Sequence, residues 1–387
     1  MGAAAWLARH AVPLAICHPA ARVNLTRFAT VFSRCQLLAR PLAVAAPMAL
    51  LLSCSLDSGK TAAVVLPTGH YEGTVAYQGT ELETVLELRE TSPGQLEADM
   101  LFPQEAGLSF AVQDPRYKEP QLLFEQGGVP GSISVSAVRE GDFLRGVFAL
   151  DSVKADFVWV RRGKAAPRPY QTTTVQLPAS QLALTLLVPD DTTTARHPAV
   201  ALFADDTHQA AAQHRADQLA RQGFVTTVVA VAAGSPADSV ALRAAVAVLQ
   251  ALRRNSAVDT LRVGVWARGA SAAVAVPAAT LVKPRAAFLV LENVSLASME
   301  DTRPLLALSR RRVPVLGLYA AADTSLNAKE SARRLRNAVG YQRANKVRVF
   351  PGANARFVVP GRSSPDGKWT WPTAAPGYLK AIDDWLK

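Results

Sequence analysis

Five side chains able to carry protons or hold a metal ion fall just behind apolar runs of the chain. Asp205, Asp206 and His208 follow Ala199 to Phe203, Glu292 follows Ala286 to Leu291, and Asp323 follows Val313 to Tyr319. If those runs are parallel strands, their carboxyl ends frame one crevice, the usual ligand position of open α/β sheets. Four carboxylates and an imidazole there could hold a hard divalent cation, or support metal-assisted hydrolysis. The same residues also read as solvated acids, with Asp205-Asp206-Thr207-His208 an ordinary polar loop capping the next helix. His214, six residues past His208, falls on a different side of that helix and is expected at the surface.

Nucleophilic chemistry needs a base beside a hydroxyl or thiol. The six histidines are His10, His18, His70, His197, His208 and His214, so none lies beyond residue 214. Ser235, Ser295 and Ser325 sit in loops without a partner, and Asp323 has an alternative as a turn residue with Thr324 and Ser325. Trp369 and Trp371 alternate across Thr370, which puts both rings on one face of an extended segment. They could form a sugar or peptidoglycan platform, or pack the C-terminal helix.

The elements that must position these residues change character along the chain. From about Thr68 to Arg162, Leu82, Leu86 and Leu88 alternate with glutamates, and Ile133 and Val135 alternate with serines. That period of two predicts seven or eight antiparallel strands in a small sandwich or open barrel. The segment 163–172, with Pro167 and Pro169, reads as a linker. From residue 173 onward, apolar strand runs alternate with helical segments: a helix from Thr207 to Arg221, another ending near Arg254, a last one over Pro376 to Lys387. Alternating elements with fully apolar strands predict a mostly parallel sheet covered by helices on both faces.

At 387 residues and 49% hydrophobic, the chain has room for two or three domains with cores. The net charge of +11 falls to +6 without Arg9, Arg22, Arg27, Arg34 and Arg40. No like-charge run longer than Arg310-Arg311-Arg312 remains, so no nucleic-acid partner is expected. All three cysteines lie within the first 54 residues, which excludes a disulfide framework or Cys-ligated zinc from a chain cut before Cys54. No cofactor is called for by any motif.

Residues 173–387 resemble the α/β-hydrolase superfamily, and the β domain before them resembles the N-terminal module that exported bacterial hydrolases often carry. Val263-Gly264-Val265-Trp266 would run into the family's GxSxG nucleophile elbow, which here reads Ala267-Arg268-Gly269-Ala270-Ser271. Small residues two positions either side of a strained centre are what that tight strand-to-helix turn requires. Ala267 and Ser271 meet the requirement, but Gly269 supplies no nucleophile. The resemblance implies that Asp323 stands at the triad acid and that Ala355, in Pro351 to Phe357, stands where the base should be. Ser271 is left as a displaced nucleophile or the small packing residue of the turn. Only residues 293–312 separate two strands between which the family often inserts a lid, so the crevice is expected to be open.

Arg34 and Arg40 precede the apolar run Pro41 to Leu52, which is too short to span a bilayer and about as long as a signal-peptide core. The following Leu51-Leu52-Ser53-Cys54 resembles the lipobox of bacterial lipoproteins. That resemblance implies a cleaved signal over 1–53 and acyl chains on Cys54. With Ser55 in second place, it implies outer-membrane anchoring facing the periplasm.

The expected organisation is thus a signal over 1–53, a lipidated N-terminus and linker over 54–67 and a β domain over 68–162. A linker over 163–172 and an α/β-hydrolase-like domain over 173–387 without a large cap complete it. The expected function is binding or structural, at the cell envelope, with an unidentified ligand or protein partner. The rivals are an ester or peptide hydrolase using Ser271 and a metal-dependent site at the acidic crevice.

Overall fold

Nine strands follow one another from residue 69 to 163 with almost no helix between them: β1 (Gly69–Tyr77), β2 (Thr80–Ser92), β3 (Gln95–Leu101), β4 (Phe110–Val112), β5 (Arg116–Lys118), β6 (Gln121–Gln126), β7 (Ile133–Glu140), β8 (Phe143–Leu150) and β9 (Val153–Gly163). In the computed structural model, which describes residues 65–177, 183–232 and 239–387, they form one sheet in the order β4-β3-β2-β1-β9-β8-β7-β6-β5. Every neighbour in it is antiparallel. Alternation decides the inside face: on β6, Leu122 and Phe124 are buried between exposed Gln121, Leu123 and Glu125. The sheet curls until β4 approaches β6, enclosing a core with Tyr71, Leu86, Phe102, Phe148 and Trp159.

The second sheet comprises β10 (Tyr170–Gln176), β11 (Ala183–Pro189), β12 (His197–Ala204), β13 (Val225–Ala230), β14 (Val258–Arg268), β15 (Leu289–Glu292), β16 (Val315–Ala320) and β17 (Lys346–Phe350). Its order is β10-β11-β13-β12-β14-β15-β16-β17. Between them run α1 (Gln209–Arg221), α2 (Ser239–Arg254), α3 (Ala272–Leu281), α4 (Arg303–Arg311) and α5 (Ala328–Val339), with α6 (Tyr378–Leu386) closing the chain.

These pairings correct the expected fold class. A mostly parallel sheet was to dominate behind a small β domain, but ten strand pairs of the two large sheets are antiparallel and five are parallel. The nine-stranded sheet is the larger of the two, and the other is mixed. Its β10 and β11 lie antiparallel along one edge, and β11 also runs antiparallel to β13. The physical reason is connection length: adjacent strands joined by short turns must run antiparallel, and only strands separated by a helix can run parallel.

Where helices do intervene, both faces of a strand are buried. On β12, Ala199, Ala201 and Phe203 face one core with residues of α2, α3, α4 and α5, whereas Val200, Leu202 and Ala204 face another with α1 and α6. This accounts for the continuous apolar runs of β12, β14, β15 and β16.

A charge network ties the two sheets together. Asp99 of β3 is fully buried and meets Arg89 of β2 at 2.7 Å, Arg168 ahead of β10 at 2.6 Å and Arg221 at the end of α1 at 3.0 Å. Burial pushes its carboxyl up, but the three guanidinium groups outweigh burial and hold it below the usual range. Asp217 on α1 accepts the Tyr170 hydroxyl at 2.5 Å and pairs with Arg221 at 3.0 Å. The segment ahead of β10 is held by its backbone too, since Ala166 N donates to Glu87 Oε2 at 3.0 Å and Arg89 donates to the Ala166 carbonyl.

The C-terminal region reaches the first sheet as well. Val358–Val359 pairs with Thr373–Ala374, and Arg362–Ser363 with Trp369–Thr370. Trp369 meets Tyr77 edge-on at 5.4 Å and Trp371 at 6.5 Å, and both indoles join the core of the nine-stranded sheet. The pair packs β1 rather than serving the C-terminal helix. The signal segment and Cys54 lie outside the described residues, as does Ser235.

Candidate functional site

At the end of β14 the chain turns within one residue. Arg268 is extended (φ −121°), Gly269 has φ +55°, and Ser271 is helical again. An L side chain at a left-handed φ is disfavoured by strain, which selects glycine here. Space does not select it, because the nearest atom to a Cβ built on Gly269 is His208 Cε1 at 3.8 Å.

Ser271 is 1% exposed. Its Oγ lies 2.7 Å from the Phe203 carbonyl and 2.8 Å from that of Arg268, and accepts from Arg268 N at 3.1 Å. A hydroxyl so engaged fastens the turn to β12. Among the described residues no histidine hydrogen-bonds to it.

Asp205 and His208, on the loop between β12 and α1, meet directly. His208 Nδ1 is 2.7 Å from Asp205 Oδ1, which also accepts from Thr207 Oγ1 at 2.6 Å and from the His208 amide at 3.1 Å. Burial pushes the Asp205 carboxyl up, but the Thr207 hydroxyl and the His208 ring outweigh burial and hold it below the usual range. Asp205 closes the turn ahead of α1 through the Thr207 and His208 amides, no side chain of the N-cap residue His208 caps the helix, and the turn brings the imidazole toward Gly269. Asp206 points to solvent.

Glu292, at the end of β15, is 3% exposed and already spent. Tyr378 of α6 donates to its Oε1, and Arg268 Nη1 lies 3.5 Å from Oε2. Arg215 of α1 donates to the Tyr378 hydroxyl at 2.8 Å and lies over the Tyr378 ring at 4.9 Å. Burial, opposed by Arg215, drives the Tyr378 phenol well above its ordinary pKa, so it stays protonated and donates. This buried network was not legible in the sequence, because its members come from β14, β15, α1 and α6.

Asp323 accepts from Ser325 N at 2.9 Å and Ser325 Oγ at 2.6 Å, the turn arrangement that its neighbours suggested. Ala355 contributes a carbonyl to Asn293 Nδ2 at 3.1 Å, while Asn293 Oδ1 accepts from Ala320 N at 2.9 Å. Of the expected crevice set, then, the structure brings Asp205 and His208 to Gly269, and bonds Asp323 to its own turn. Among the described residues no group of three or more His, Cys, Asp or Glu is placed to hold a metal ion.

His214 corrects another expectation. It is 5% exposed, with Nε2 3.2 Å from the Gly107 carbonyl in the turn ahead of β4. Gln218 donates to the same oxygen at 2.5 Å. The nine-stranded sheet covers the side of α1 that a view of the helix alone leaves open. A cleft of about 540 Å³, lined in part by Gln113, Gln126, Tyr170, Gln209, Gln213 and Asp217, contains none of the elbow residues.

No protein-family model and no curated protein matches the chain. Among solved structures it is similar to the crystal structure described as "Putative Dienelactone Hydrolase from Klebsiella pneumoniae subsp. pneumoniae MGH 78578", with 15% identity and a TM-score of 0.41. That match covers 56% of this chain and 98% of the other.

Proposed function

We propose that the chain is a catalytically degenerate, hydrolase-like protein with a binding or structural role at the cell envelope. The observation that supports this reading is Gly269: the residue at the centre of the turn has the left-handed backbone of an elbow and no side chain to attack with. Ser271, the alternative nucleophile, has its hydroxyl committed to the main chain of β12 and β14. A fluorophosphonate probe is expected to leave the protein unlabelled, and p-nitrophenyl acetate hydrolysis should show no saturation. Saturable hydrolysis abolished by Ser271→Ala would overturn the reading.

The envelope location is supported by sequence alone, through Arg40, the run Pro41 to Leu52 and Leu51-Leu52-Ser53-Cys54. The mature chain is expected to begin at an acylated Cys54, and Cys54→Ala to leave an unlipidated precursor. Intact mass of membrane-extracted protein checks both. A mature form starting elsewhere, or carrying no lipid, rules the anchor out.

A further inference from the structure

We propose that Asp205 and His208 are an assembled acid–base pair aimed at the position the nucleophile has left, so that a hydroxyl at residue 269 is the only missing part of a triad. The pair belongs to the loop after β12, not to the loops after β16 and β17 where the sequence placed Asp323 and Ala355. With a hydroxyl restored at residue 269, it is a site for an electrophilic acyl or phosphonyl group.

Three observations carry the inference. His208 Nδ1 is engaged by Asp205 Oδ1 at 2.7 Å and by Thr207 Oγ1 at 3.1 Å, which leaves Nε2 with no partner among the described residues. Asp205 is itself fixed by two main-chain amides, Thr207 N and His208 N, each at 3.1 Å, so the imidazole is oriented by a group that cannot swing away. The Cβ position of residue 269 lies 3.8 Å from Cε1, the ring atom bonded to Nε2, so an oxygen one bond further out can come within hydrogen-bond reach of that nitrogen. Among the described residues outside the turn itself, no other atom approaches within 4 Å of that position, so the turn's surroundings leave room for the hydroxyl.

The inference rests on Gly269 being an emptied nucleophile position, and the two ideas fail separately. Labelling of the unmodified chain would overturn the proposed function, whereas the present inference is read in Gly269→Ser. In that variant the introduced oxygen should form a bond to phosphorus of a fluorophosphonate probe. Fluoride leaves, and the hydroxyl proton passes to His208 Nε2.

Full-length Gly269→Ser is expected to be labelled, and adding His208→Ala should slow labelling by roughly 10²- to 10⁴-fold, the usual share of a general base. Adding Asp205→Asn should also slow it while circular dichroism stays unchanged. Asp323→Asn should leave it unaltered. A folded Gly269→Ser that stays unlabelled, or one labelled equally without His208, overturns the proposal. If the strained turn prevents that variant from folding, diethyl pyrocarbonate on the unmodified chain decides instead. Peptide mapping should find His208 carbethoxylated at its free nitrogen while buried His214 is spared, and protection of His208 equal to that of His214 overturns the proposal.

Discussion

Asp99→Ala is expected to destabilise the chain by about 3 to 5 kcal/mol, the usual cost of removing one partner from a buried charge cluster. Arg89, Arg168 and Arg221 converge on this one carboxylate from β2, from the segment ahead of β10 and from α1. The carboxylate offsets part of the desolvation of all three. Arg168 retains Glu97 and Arg221 retains Asp217, so the loss should fall short of unfolding the chain outright. Asp99→Asn, which keeps the shape and an acceptor, should fall between. Urea unfolding midpoints measure both, and a change below about 1 kcal/mol for Asp99→Ala would show that solvent reaches the cluster.

The second large effect is a loss of stability in acid, of about 3 kcal/mol between pH 7 and pH 4, carried by His214. Burial, together with the neighbouring Arg215, pushes its pKa from 6.5 down to about 3. Its Nε2 must donate to the Gly107 carbonyl while Nδ1 has no partner, so a proton there would be a bare buried charge. Below pH 6.5 the unfolded chain binds that proton and the folded chain does not, so stability falls with pH until the folded value is reached. Asp99 acts with the same sign, mostly below about pH 4 and beneath that window. Its folded pKa is lowered, so its contribution is lost as pH falls through that value. His214→Gln, which keeps a donor toward Gly107, should flatten the profile between pH 6.5 and 4. An unchanged slope in that variant would assign acid sensitivity elsewhere.

The strands and helices from β12 onward were legible because burial on both faces leaves continuous apolar runs, and such runs can be counted. Gly269 was legible because glycine is the residue that adopts a left-handed turn without strain. The dominance of antiparallel pairing was not, in part because β4 and β5 span three residues each, too few for a period to be counted. The approach of His208 to Gly269 was equally hidden. Local pattern gives the polar turn ahead of α1 but not the direction in which its imidazole turns, and the partner lies 61 positions away. His214 was misplaced for a related reason: a helix has a solvent side only if no other layer covers it, and the layer here comes from residues more than a hundred positions earlier.

The seating of Trp369 and Trp371 against Tyr77 ties the nine-stranded sheet to the order in which the chain is made. All nine strands have been synthesised by residue 163, yet the indoles that cover the end of β1 follow roughly 200 residues later, which is about 10 to 40 s at ordinary rates of synthesis. For that interval an aromatic core is complete in sequence and open at one edge. A nascent chain of this protein therefore carries that open edge from the completion of β9 until Trp369 and Trp371 are added. A stop codon just ahead of Trp369 would make that open state permanent.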